Sequence, residues 1–159
     1  MRNDIVIVSA VRTAIGKFGG SLKSISSGHL GAIVIEEAIK RANIAAEQVD
    51  EVIMGEVRQS SESSNVARVA SLRAGIPVSA PAFTINRLCA SGMQAVGSAV
   101  QQIVFNQAEI VVAGGTENMS RAPIYLRNSR FGEGTPYLID SNLENGQQPM
   151  DVYGKHLGM

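Results

Sequence analysis

The order of hydrophobic and polar positions in the first 115 residues predicts strands and helices in alternation. Four short apolar runs predict strands at residues 5–8, 50–57, 82–85 and 109–113. Apolar residues at steps of three and four predict helices at about residues 27–42, in a short segment ending near residue 74, and from residue 89 to about 106. In the last helix the recurring positions define an apolar face: Cys89, Met93, Val96, Val100, Ile103 and Val104.

This alternation is typical of βαβ units. It predicts an α/β fold with a mainly parallel sheet, helices on both faces and right-handed connections. After Gly115 the pattern weakens, because residues 116–159 are rich in Asn, Ser and Gly, contain three prolines and show no strong periodicity. An irregular run of this length is unusual inside a compact domain, so we expect part of an insertion here.

The amino-acid composition excludes several classes of function for this protein. Hydrophobic residues make up 45% of the 159 positions, enough for a sizeable core. A net charge of zero and an aromatic content of 4% argue against nucleic-acid binding, which needs a basic surface or stacking side chains. The sequence shows no signal peptide and no membrane-spanning run, and its single cysteine allows neither an internal disulfide nor a zinc site. We therefore expect a cytoplasmic protein without a metal or a membrane partner.

The junction between the third predicted strand and the last helix is the sharpest local feature of the sequence. Cys89 is expected at the N-terminus of that helix, where unpaired backbone amides and the helix dipole favour a thiolate. The small residues 90–92 would let a substrate carbonyl approach the backbone amides. Ligands of open α/β sheets bind beyond the carboxyl ends of the strands, so this junction is also the expected pocket.

Other interpretations of these residues stay open. A free cysteine such as Cys89 is often only a small buried side chain. A nucleophilic cysteine usually works with a histidine, but His29 is expected at the surface of the first helix, and the spacing of His156 does not indicate a catalytic role. The glycine pair at residues 114 and 115 matches no phosphate-binding motif and is expected to form a tight turn, with Glu117 a polar loop residue beside it.

Several strings in a fixed order carry a family resemblance. They are IVSAVRTAIGKFGG at residues 7–20, VDEVIMG at 49–55, NRLCASG at 86–92, VVAGGTENMS at 111–120 and YGKHLG at 153–158. Together they resemble the thiolases, most closely the acetyl-CoA acetyltransferases of that family. The resemblance extends over nearly the whole chain.

The resemblance implies a fold, a reaction and site residues. It implies the N-terminal half of a thiolase-like fold, in which Cys89 takes an acyl group from acyl-CoA as a thioester. A second substrate then accepts the acyl group, so that acetoacetyl-CoA or another 3-ketoacyl-CoA is formed, or is cleaved by CoA in reverse. His156 and Leu157 match the family's substrate-binding loop at the CoA and acyl pocket. CoA thioesters are then substrates and no cofactor is needed. A homodimer is also implied, with the strand before Cys89 near its two-fold axis.

The sequence departs from the family pattern in two places, and these departures affect the expected activity. Residues 60–68, SSESSNVAR, stand where the family often has a glycine-rich loop ending in NPAR. The family's NEAF motif, its GHP histidine and its CxGGG cysteine are absent from the 159 residues. We therefore expect residues 1–118 to form a thiolase N-terminal domain and residues 119–159 to begin a truncated substrate-binding loop insertion, with this chain alone inactive.

Two other functions are compatible with the sequence. The chain could be a non-catalytic thiolase-like module that folds and dimerises. It could also be a relative of the ketoacyl synthases, which act on carrier-bound acyl groups, but NRLCASG and GGTENMS favour the thiolases.

Overall fold

The chain forms a three-stranded sheet covered by helices and a separate two-stranded hairpin. The structure is a computed structural model that describes residues 4–59, 61–132 and 134–143. Its main elements, in chain order, are α1 (Ser27–Ala42), β1 (Glu51–Gly55), α2 (Val66–Arg73), β2 (Ala82–Ile85), α3 (Ser91–Val104), β3 (Val111–Gly115), β4 (Ile124–Arg127) and β5 (Tyr137–Asp140). The predicted helix at residues 27–42 and the predicted strand at residues 82–85 are confirmed at both ends.

The main sheet is parallel throughout, with the strand order β2-β1-β3. Gly55 pairs with Ile85 on one side and with Gly115 on the other, so the three carboxyl ends lie at one edge. At the opposite edge the Asp50 carboxylate accepts hydrogen bonds from the backbone N–H groups of Glu109 (2.8 Å) and Ile110 (2.9 Å). These bonds hold the pKa of Asp50 below its usual value and fix the start of β3 beside β1.

Helices cover both faces of this sheet. Val52 and Met54 of β1 point into a core that includes Ile35 and Ile39 of α1 and residues of α2. Ile53 points to the other face, where it packs with Ala95 and Ala99 of α3 and with partly buried side chains of β2 and β3. All five residues of β1 are buried, as expected of a central parallel strand. The predicted α/β class is confirmed.

The packing face of α3 differs from its predicted apolar face. Ser91, Ala95 and Ala99 are the buried residues of α3. The larger apolar side chains that define the predicted face are mostly exposed, with Met93 81% and Val104 54% accessible. Small residues face the sheet because the start of α3 lies in backbone contact with the end of β1, which leaves no room for larger side chains.

The predicted strand at residues 5–8 is not a strand in the structure. The segment has no regular secondary structure, and Val6, Ile7 and Val8 are 69–80% exposed. Residues 5–9 line a cavity of about 180 Å³ together with residues 110–113 and parts of α1 and α3. The β-branched run has strand propensity, but this gap separates it from β3, so the backbone pairing that defines a strand does not form.

The hairpin after the main sheet was not predicted. β4 and β5 pair antiparallel, with Ile124 opposite Asp140 and Arg127 opposite Tyr137. Both strands are four residues long, and β4 is exposed throughout. Since neither face of β4 is buried, its sequence carries no alternation of apolar and polar residues.

We predict that Gly55→Ala destabilises the fold by about 2 kcal/mol, which lies within the range typical of overpacking. A Cβ at Gly55 would lie 2.5 Å from the carbonyl carbon of Ser91 and 2.7 Å from the backbone nitrogen of Gly92, so α3 would have to move. Urea unfolding measures the loss.

Gly97→Ala is the matched control, because a Cβ there meets nothing closer than 3.9 Å within helix α3. It should raise stability by up to about 1 kcal/mol through helix propensity. Equal effects of the two substitutions would contradict the packing argument.

Candidate active site

Cys89 lies in a turn between β2 and α3, at the carboxyl edge of the parallel sheet. Residues 86–90 are exposed, so Cys89 lies at the surface. Helix α3 begins at Ser91, two residues later than predicted. Cys89 therefore precedes the first turn of the helix, and the alternative that it is merely a small buried side chain is wrong.

The backbone of this turn is unusual and is held by two polar side chains. Leu88 has a φ of 50°, in the left-handed region that branched residues rarely occupy. The Asn86 Oδ1 atom accepts a hydrogen bond from the Leu88 N–H at 3.1 Å. On the other side the Ser91 hydroxyl accepts from the Arg87 N–H at 2.8 Å and donates to the Leu88 carbonyl. The sequence indicated Ser91 only as a small neighbour, but the structure gives it a bonding role.

Glu117 contacts the segment that follows β1. Its Oε2 atom accepts hydrogen bonds from the backbone N–H groups of Val57 (2.8 Å) and Arg58 (3.2 Å). The Val57 carbonyl in turn accepts a hydrogen bond from the Asn86 side-chain amide at 3.1 Å. Glu117, predicted as a polar loop residue, thus links the end of β3 to the end of β1 and to the Cys89 turn.

A second carboxyl group, Glu56, is buried beside this link. Its exposed fraction is 2%, and neither carboxyl oxygen has a hydrogen-bond partner of good geometry among the described residues. Burial raises the pKa of Glu56 from 4.5 to about 7, the Ser27 hydroxyl opposes this rise, and the negative charge of Glu117 adds to it. The Glu56 carboxyl therefore binds a proton through much of the weakly acidic range.

Comparison with known proteins identifies the family. A family profile described as "Thiolase, N-terminal domain" matches residues 5–155. The chain belongs to the thiolase family. The predicted resemblance is confirmed, and the fold is the N-terminal part of the thiolase fold.

Individual relatives agree with this assignment. An acetyl-CoA acetyltransferase of Cupriavidus necator is 50% identical over 98% of this chain and 40% of its own length. An acetyl-CoA acetyltransferase of Syntrophomonas wolfei is 54% identical over 100% of this chain and 41% of its own length. The crystal structure of the Bacillus anthracis acetyl-CoA acetyltransferase superposes with a TM-score of 0.82 at 43% identity, covering 86% of this chain and 35% of that one. The chain thus spans about 40% of the length of its curated relatives.

His29, the candidate histidine that lies within the described residues, is at a different cleft from the Cys89 turn. His29 lines an open polar cleft with Arg73 and Arg121, and no residue of the turn contributes to that cleft. His156 and Leu157 lie outside the described residues. The glycine pair at residues 114 and 115 forms the end of β3, not a tight turn, because Gly115 still pairs with Gly55.

The described residues contain neither a metal site nor a membrane-spanning helix. No group of three or more His, Cys, Asp and Glu side chains within residues 4–143, apart from positions 60 and 133, is arranged to hold a metal ion. Over the same residues, no helix is long and apolar enough to cross a membrane.

We predict that Glu56→Gln makes the fold less sensitive to pH. Because the folded-state pKa is raised, the protonated carboxyl contributes its full stability below pH 4.5, and this contribution is lost as the pH rises through 7. At pH 8, relative to pH 4.5, the variant should gain on the order of 2 kcal/mol over the wild type. Urea unfolding at a series of pH values measures this difference.

Glu36→Gln is the control, since Glu36 is an exposed carboxylate on α1 and the chemical change is the same. Its pH dependence should follow that of the wild type. If Glu56→Gln did so as well, the burial argument would be wrong.

Proposed function

We propose that this chain carries the acyl-accepting site of an acetyl-CoA C-acetyltransferase. The observation that supports this most directly is the exposed Cys89 on a braced turn directly before α3. The amides and the dipole of a helix N-terminus stabilise negative charge, so they suit the oxyanion that forms when a thiol beside them attacks a thioester. The acetyl-CoA acetyltransferase relatives support the choice of substrate.

In the first step the Cys89 thiolate attacks the carbonyl carbon of acetyl-CoA. The bond between that carbon and the CoA sulfur breaks, CoA leaves as a thiolate that takes up a proton, and an acetyl thioester on Cys89 remains. The Cys89 backbone N–H is proposed to donate to the oxyanion of the tetrahedral intermediate, as such donors do in acyl transfer. A second acetyl-CoA, deprotonated at its α-carbon, then attacks the thioester to give acetoacetyl-CoA and free Cys89 thiolate.

The remaining parts of the proposal follow from the family. CoA, acetyl-CoA and acetoacetyl-CoA or another 3-ketoacyl-CoA are the substrates and products, and no separate cofactor is used. Residues 119–159 begin the substrate-binding loop, with His156 and Leu157 at the CoA and acyl pocket. The protein works in the cytoplasm as a homo-oligomer, of which a dimer is the simplest form.

We expect iodoacetamide to alkylate Cys89 faster in the native chain than in urea at the same pH. The proposed acyl transfer uses Cys89 as a thiolate nucleophile, and alkylation consumes the same thiolate. Because Cys89 is the only cysteine, incorporation measured by mass spectrometry reports on this residue alone. Cys89→Ser, which should incorporate nothing, is the control. A native rate no higher than the rate in urea would favour the alternative function, a non-catalytic dimerisation module.

We also expect no appreciable CoA-dependent cleavage of acetoacetyl-CoA by these 159 residues alone. Catalytic groups that act as a unit lose most of their rate when partners are missing, and the family's histidine and second cysteine motifs are absent here. Loss of acetoacetyl-CoA absorbance, compared with Cys89→Ser, is the measurement. Turnover that depends on Cys89 and approaches the rate of a full-length thiolase would contradict this expectation.

A further inference from the structure

We propose that Glu117 is a positioning residue for Cys89, acting at a distance through Val57 and Asn86. The proposal rests on the function proposed above, because it concerns the same nucleophile. Glu117 does not touch the thiol in this account. It determines where the turn that carries the thiol is held.

The first step is the contact between Glu117 and the segment after β1. One carboxylate oxygen accepts two backbone N–H groups, those of Val57 and Arg58, at 2.8 and 3.2 Å. Hydrogen bonds to a charged acceptor are shorter and stronger than neutral ones. Glu117 follows directly after β3 and Thr116, whose N–H donates to the Gly55 carbonyl at 2.9 Å. The backbone that carries the Glu117 carboxylate is therefore itself hydrogen-bonded to the sheet.

The second step is the Asn86 side chain, which connects that segment to the turn. Its Nδ2 atom donates to the Val57 carbonyl and its Oδ1 atom accepts from the Leu88 N–H, both at 3.1 Å. Only one orientation of the amide satisfies both contacts, since one end must donate and the other must accept. Asn86 thus transmits the position of Val57 to the backbone of the residue directly before Cys89.

The third step is the need for such support at Leu88. A left-handed backbone at a branched residue costs free energy and persists only where the surroundings impose it. The Ser91 hydroxyl bonds to Arg87 and Leu88, so it fixes the shape of the turn from within. The Asn86 contact is different, because it ties the turn to the end of β1. The shape and the position of the Cys89 turn thus depend on two different side chains.

The test is the ratio of the native alkylation rate of Cys89 to its rate in urea. Glu117→Ala removes both bonds to the 57–58 segment. Asn86→Ala removes the contacts of that side chain with Val57 and Leu88 and adds no charge beside Cys89. Each should lower the ratio by about fivefold, the effect of one hydrogen bond. The double variant should lower the ratio by little more than either single variant, because both residues act through the same chain of hydrogen bonds.

A conservative variant and a charge control separate positioning from general destabilisation. Glu117→Gln keeps a carbonyl oxygen for the same two N–H groups and should restore part of the ratio lost in Glu117→Ala. Glu62→Gln removes a carboxylate that pairs with Arg121 at an exposed site, and it should leave the ratio unchanged. Urea unfolding of each variant gives the fraction folded, so that the rate of the folded protein is compared.

The outcomes distinguish this proposal from the proposed function. If the wild-type ratio does not exceed one, the activated nucleophile is absent and both proposals fail. If the wild type shows a raised ratio that Glu117→Ala and Asn86→Ala retain, only the positioning role is overturned. The positioning role would also be overturned if the double variant lowered the ratio by the product of the two single effects. That result would mean that the two residues act independently. If Glu117→Ala does not fold, Asn86→Ala decides the question in the same way.

Discussion

The backbone contact between the end of β1 and the start of α3 is the constraint on which the rest of the site depends. Gly55 lies so close to Ser91 and Gly92 that a single added carbon would overlap them. This contact brings the N-terminus of α3 down onto the carboxyl edge of the sheet. It also explains why alanines, and not the larger side chains of α3, face the sheet. With α3 in this position, the short link from β2 has to turn sharply, and Cys89 is carried at the surface.

Local sequence patterns predicted most of the fold because its elements are defined locally. Helix α1 has a serine N-cap before it and a left-handed Asn43 after it, and its bounds could be predicted from the pattern alone. The segment at residues 5–8 shows the limit of this reasoning. It has the composition of a strand, but a strand needs a neighbour at hydrogen-bonding distance, and composition does not supply one. The face of α3 is a similar case, because the packing partner, and not the helix itself, decides which side is buried.

The site was predictable only in part, for the same reason. Cys89 could be found because the signal is local: a thiol placed between a strand and a helix in a small-residue context. Glu117 could not, because its role comes from bonds to Val57 and Arg58, about sixty positions earlier in the chain. The strings around residues 55 and 115 contain both ends of this contact, but nothing in either string indicates the other. Pairing of β1 with β3 brings them together.

The described residues provide the nucleophile of the proposed reaction but not the base that its second step requires. Three parallel strands and one helix are sufficient to hold a thiol at the surface in a braced turn. They bring no histidine to it, since His29 lies at a different cleft. Forming an acyl thioester requires an accessible thiolate and donors for an oxyanion, whereas joining a second acetyl group requires a base that removes a carbon-bound proton. The residues described here are suited to the first of these tasks, and the second requires groups that they do not place beside Cys89.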